Sequence, residues 1–139
     1  MRLSILFILI ILISCAEEDI LHEIDVKFLE LKGCWNLLDS NNELIVTNVD
    51  EYLLLKSDCS DSKLPDINFS DSLLISKTFI IGCEDQINRH LLYDSKNNKY
   101  IYNIEIIRGT CKMAIVVSNW AIAPKFKDNF NIEFNLKWL

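Results

Sequence analysis

Phe130-Asn131-Ile132-Glu133-Phe134-Asn135-Leu136-Lys137-Trp138 places an apolar side chain at every second position. A period of two puts Phe130, Ile132, Phe134, Leu136 and Trp138 on one face of an extended chain, with the polar residues on the other. The expectation is a half-buried strand in an antiparallel sheet. Upstream, Cys111–Ile122 reads as another strand, entered through the turn Arg108-Gly109-Thr110. Asn88–Tyr93 and Lys99–Ile107 flank Asp94-Ser95-Lys96-Asn97-Asn98, a hairpin loop by composition. Leu73–Ile81 is a buried-looking apolar run, broken by Ser76, Lys77 and Thr78.

Ahead of this β-rich stretch the pattern changes. Leu44–Thr47 reads as a short strand after the turn cluster Asp39-Ser40-Asn41-Asn42. Asn48 is a helix N-cap candidate, with Glu51 three residues on completing a capping-box pattern. That helix continues to about Ser57, and Pro65 stops anything helical. Ile24, Val26 and Phe28 alternate with Asp25 and Lys27, and a strand is the preferred reading; its rival is a helix with Ile20, Ile24, Phe28 and Leu31 on one face. The fold class expected is α+β: a mostly antiparallel sheet with one short helix, in a single domain over residues 24–139.

Composition narrows the function classes. The chain has 139 residues, half of them apolar, with a net charge of −6. This excludes a disordered tail and a multi-span membrane protein. The acidic balance disfavours nucleic acid as a partner. Three glycines, at 33, 82 and 109, are too dispersed for a phosphate-cradling loop. Charge is uneven: residues 16–98 carry 17 acids and 7 bases, and residues 99–139 carry 3 acids and 6 bases.

The first residues read as an address. Met1-Arg2 is followed by the apolar run Leu3–Ile13, whose length as a helix, roughly 16 Å, is about half of what a bilayer core requires. A signal peptide over residues 1–14 fits better. Leu12-Ile13-Ser14-Cys15 resembles a bacterial lipobox. The resemblance implies cleavage before Cys15, acylation of Cys15 (palmitate among its chains), and a lipid-anchored tether over residues 15–23. Glu17-Glu18-Asp19 is similar to the surface-export signal of Bacteroidetes lipoproteins, which implies an outer-membrane lipoprotein displayed at the cell surface.

Cys34, Cys59, Cys83 and Cys111 remain, an even count in an exported chain and hence two expected disulfides. Three pairings are open, and the spacing favours Cys34–Cys59 with Cys83–Cys111. No CxxC pair exists and His22 and His90 are isolated, so no metal is expected.

Cys34-Trp35-Asn36-Leu37, the strand ending Val46-Thr47-Asn48, the helix Val49–Leu53 and the segment Leu64-Pro65-Asp66-Ile67-Asn68-Phe69-Ser70 occur in an order that resembles a group of Bacteroidetes lipoproteins of unknown function. More distantly it is similar to the C-terminal domain of bacterial protease-complex subunits. The resemblance covers about residues 34–138 and implies a fold without an activity. Asn68 stands where that pattern has Asp, and Gly82-Cys83-Glu84 replaces its glycine-rich turn.

Catalytic constellations are absent from the pattern. His90 lies between Arg89 and Leu91 on a strand, and His22 lies in the tether. Asp66 and Asp71, flanking Phe69, read as turn-capping residues. Trp35, Trp120 and Trp138 read as core aromatics, with a ligand platform as the rival. No enzyme and no cofactor are expected. The function expected is a lipid-anchored, non-enzymatic protein-binding or assembly module of the cell envelope. The alternative is a carrier or sensor for a small apolar ligand in the sheet concavity. The candidate partner-binding residues are Pro124, Lys125, Phe126 and Lys127, read as a hairpin tip with an aromatic between two charges; the alternative has Phe126 folded back onto the core and the lysines solvated. Asp71-Ser72-Leu73 resembles the short Bacteroidetes O-glycosylation motif, which makes Ser72 a candidate glycosylation site.

Overall fold

The computed structural model describes residues 21–30, 43–58 and 64–139 of the chain. The expected signal peptide, Cys15, Trp35 and the expected Cys34–Cys59 pair lie outside the described residues. Among the described residues, eight strands and one helix follow in the order β1 (Leu21–Ile24), β2 (Lys27–Glu30), β3 (Glu43–Val46), α1 (Val49–Asp58), β4 (Ser72–Gly82), β5 (Gln86–Asp94), β6 (Lys99–Ile107), β7 (Ala114–Pro124) and β8 (Asn131–Trp138). They form two four-stranded sheets, ordered β1-β5-β6-β8 and β2-β7-β4-β3. All pairings are antiparallel except β6 with β8.

The inner faces of both sheets build one core. Leu73, Ile75, Phe79 and Ile81 of β4 meet Leu91 of β5 and Tyr100, Tyr102, Ile104 and Ile106 of β6. Each large side chain buried there contributes roughly 1.5–3 kcal/mol. A second core lies on the other face of β4 and β7. There Tyr52 and Leu55 of α1 close over Val46, Leu64, Leu74 and Trp120. This double coverage explains why β4 reads as a nearly continuous apolar run, since an alternating pattern needs one wet face. Layers therefore stack as sheet, sheet, helix.

Local chemistry starts and stops the elements where the sequence asks. The Glu51 N–H donates to Asn48 Oδ1 at 2.9 Å, the N-cap bond. The return bond of the capping pattern goes to Thr47, whose N–H reaches Glu51 Oε2 at 2.9 Å. In the β5–β6 hairpin, the Asp94 carboxylate accepts from the N–H groups of Lys96 and Asn97, and Asn98 takes a left-handed φ of 49°.

Five expectations need correction. The strand around Ile24–Phe28 is real but broken: the chain leaves the first sheet after Ile24 and enters the second at Lys27, with Asp25-Val26 as the crossover. It begins at Leu21, so residues 21–23, expected in the tether, pair with β5. The last strand is half-buried as expected, but it runs parallel to β6. Alternation reports that one face is covered and carries no information on the direction of the neighbour. Residues 125–130 accordingly cross from one sheet to the other and make no hairpin, with Asn129 at a φ of 57° turning the chain into β8. The strand expected from Cys111 begins three residues later, at Ala114, because Cys111 is held in a disulfide.

Candidate functional site

Strand directions give the sandwich two poles. Leu21 pairs with Asp94, at the end of β5 where the β5–β6 hairpin and the 125–130 crossover also lie. The opposite pole gathers the end of β4, the start of β5, the end of β6, the start of β7 and the end of β8. β5 spans nine residues between them, about 26 Å at the usual rise.

The far pole is clamped by short-range chemistry. Cys83 and Cys111 form a disulfide with a Cα–Cα distance of 5.6 Å, joining the β4–β5 turn to the β6–β7 connection. Asp85 bridges the same two segments: Oδ2 accepts from the Gly82 N–H at 2.7 Å and Oδ1 from the Gly109 N–H at 2.8 Å. Those two N–H groups, Gly109 first, hold the Asp85 carboxyl below the usual aspartate range, helped by the charge of Arg108. The Thr110 hydroxyl donates to Glu84 Oε2 at 2.5 Å and lowers that carboxyl likewise. The segments approach so closely that a Cβ on Gly109 would lie 2.6 Å from the Glu84 carbonyl oxygen, which requires glycine there.

Around this clamp, large apolar side chains face solvent. Ile80 and Val116 stand opposite each other across β4 and β7 and are both exposed. Met113, next to the clamp, is 64% exposed. Ile107, Trp138 and Leu139 are exposed at the ends of β6 and β8. The Arg108 guanidinium lies 5.3 Å from the centre of the Trp138 ring. Scattered exposed apolar residues need no explanation, but six lie at this one end; a smaller exposed apolar group, Val49, Leu53 and Leu54, lies on α1. A rigid support suits binding, because little conformational entropy is lost when a partner docks.

The candidate partner-binding residues lie at the other pole. Pro124 ends β7, and Lys125 and Lys127 are exposed. Phe126 is not presented: it is 5% exposed and belongs to the inner core, between Tyr100 and Phe130. The expectation of an aromatic projecting from a tip fails because crossing between sheets carries the chain over the end of the core. Lys127 sits over Tyr93, with Nζ 4.9 Å from the ring centre. Ser72, the candidate glycosylation residue, opens β4 half-buried, with its hydroxyl on Asp71 Oδ1 at 2.9 Å.

The remaining residues singled out by sequence are dispersed. His90 Nδ1 lies 2.9 Å from Glu23 Oε1 on the exposed face of the first sheet. Asp71 accepts from the Asn68 side chain, and the turn itself is capped by Asn68, whose Oδ1 accepts from the Ser70 N–H at 3.2 Å. Trp120 is fully buried beneath α1 while Trp138 stands at the clamped pole, so these two do not share a platform. Among the described residues no three His, Cys, Asp or Glu side chains could hold a metal ion. No helix among them is long and apolar enough to cross a membrane.

The exposed group at the clamped pole was missed because alternation assigns Trp138 to the core face, and because pole membership depends on strand pairing. The cysteine spacing was its one legible signal. No family model, no curated protein and no solved structure matches the chain.

Proposed function

We propose that this chain is a lipid-anchored, non-enzymatic protein of the bacterial cell envelope that binds a protein partner through its disulfide-clamped pole. One relationship carries the reading. The described residue nearest the expected anchor in sequence, Leu21, lies at one pole, and the exposed group Ile80, Ile107, Met113, Val116, Trp138 and Leu139 lies at the other. Five residues separate Cys15 from Leu21, and they reach at most about 18 Å. An anchored domain would thus hold the near pole by the membrane and turn its apolar pole outward. The runner-up, an apolar carrier, gains less support, because the space between the sheets is filled by stacked and edge-on aromatic rings. The lipobox, the acidic residues after it and the even cysteine count support an outer-membrane location facing the outside.

A photo-crosslinking residue placed at Met113 or at Lys96 in the native host tests the reading. Both positions are exposed and they sit at opposite poles. Position 113 should yield a discrete protein adduct that position 96 does not. Equal labelling from both positions, or none from 113, would overturn it.

A further inference from the structure

The crossover from β1 to β2 leaves a cleft of about 370 Å³ at the side of the sandwich. Ile24, Val26, Phe28 and Leu91 supply its apolar lining. Four charged or titratable side chains complete it: Glu23, Asp25, Arg89 and His90. Glu23 and His90 satisfy each other at 2.9 Å. Asp25 and Arg89 remain.

Arg89 is in an unusual position. It points inward from β5, is half-buried, and reaches across to the second sheet, where Nη1 donates to Asn119 Oδ1 at 3.2 Å. Its guanidinium carbon lies 4.5 Å from the centre of the Phe28 ring. No carboxylate among the described residues pairs with it, and Asn119 takes a single one of its five N–H bonds. A half-buried guanidinium without a counter-charge is costly, and its planar fork matches a carboxylate. Behind Phe28, Tyr102 stacks at 6.5 Å with its hydroxyl buried and unpartnered. The Tyr102 hydroxyl is one of three buried side-chain polar atoms without a hydrogen-bond partner among the described residues, with Ser76 Oγ and Trp120 Nε1.

Asp25 is the complement. It is exposed at the crossover, lines the same cleft, and makes no hydrogen bond or ion pair among the described residues. Asp25 and Arg89 share one cleft and do not pair with each other. A simple anion would meet Arg89 but be repelled by Asp25 and Glu23. A simple cation would meet the reverse. A small molecule with both charges and an apolar body satisfies the whole lining.

We propose that the β1–β2 crossover cleft binds a zwitterionic amino acid with an apolar side chain, its carboxylate on Arg89, its ammonium on Asp25 and its side chain against Val26, Phe28 and Leu91. The proposal is independent of the docking pole, which lies elsewhere on the sandwich.

The probe is L-leucine, added to the full chain in mild detergent, with the Asn119 side-chain amide followed by NMR because Asn119 touches Arg89. N-acetyl-L-leucine lacks the ammonium and L-leucine methyl ester lacks the carboxylate. L-leucine should shift the Asn119 amide saturably, and each derivative should bind at least about tenfold more weakly. Asp25→Asn should lower L-leucine to the level of the N-acetyl compound without weakening the latter. Arg89→Gln should abolish the preference for L-leucine over its methyl ester. If Arg89→Gln does not fold, Asp25→Asn still decides, since Asp25 is exposed and outside both cores. Equal binding of all three compounds, or no saturable shift at millimolar L-leucine, would overturn the proposal.

Discussion

The Phe126 ring lies flat on Tyr100, with centroids 3.7 Å apart and planes inclined by 14°. Phe130 meets Phe126 edge-on at 5.0 Å. The crossover between β7 and β8 is thus pinned to the core by an aromatic stack, while Lys125 and Lys127 stay exposed, Lys127 over the Tyr93 ring. Phe126→Ala should cost about 3–5 kcal/mol of stability, as for a core phenylalanine. Chemical denaturation measures this directly. Lys125→Ala should shift the same curve by less than about 0.5 kcal/mol.

Local signals were readable wherever the physics is local. The Asn48 cap, the Asp94 hairpin and the alternation of Phe130–Leu136 all depend on neighbours within a few residues, and the structure bears them out. What the sequence left dark depends on pairing across the chain. Whether β8 runs parallel to β6, and whether Phe126 points out or in, both follow from the switch of sheets at residues 125–130. Alternation carries no record of that switch. The same limit hid Arg89, which reads as an ordinary strand residue between Asn88 and His90 until β2 and β7 are brought against it.

The Cys83–Cys111 bond closes a separation of 28 residues. In the chain-entropy description a loop of that size contributes about 3.5 kcal/mol. The double variant Cys83→Ser, Cys111→Ser should unfold at correspondingly lower denaturant, and intact-mass analysis should find the wild-type pair oxidised until reductant is added. Free thiols at both positions in the native protein would rule this out. Asp85 should keep the two segments together in the folded variant, so the loss should appear in stability before it appears in shape.

Asp85 makes the same pole sensitive to acid. Its carboxyl titrates lower in the folded chain than in the unfolded one, because the N–H groups of Gly109 and Gly82 favour the charged form. A depressed carboxylate contributes stability above its unfolded value, near 4, and loses that contribution as pH falls through its folded value. Asp85→Asn should therefore be less stable than wild type at neutral pH. The gap in melting temperature should narrow below about pH 4, as the wild-type carboxyl takes up its proton. A gap that stays constant down to pH 2 would assign the effect to shape rather than charge.

The anchor is testable apart from the fold. Cys15 follows an apolar run too short to cross a bilayer, so membrane retention of the mature chain would rest on its acyl groups. Each buried methylene contributes about 0.8 kcal/mol: one chain holds marginally, and two or three hold effectively permanently. Cys15→Ser should abolish incorporation of an alkyne-tagged fatty acid in the native host and take the protein out of the acylated membrane fraction. The described residues begin six positions later, at Leu21, and Cys→Ser alters neither the backbone nor the side-chain volume of that domain. The variant should therefore keep the thermal stability of the wild-type domain. Retention in the membrane together with an unlabelled wild type would show that the apolar run, and not a lipid, holds the chain.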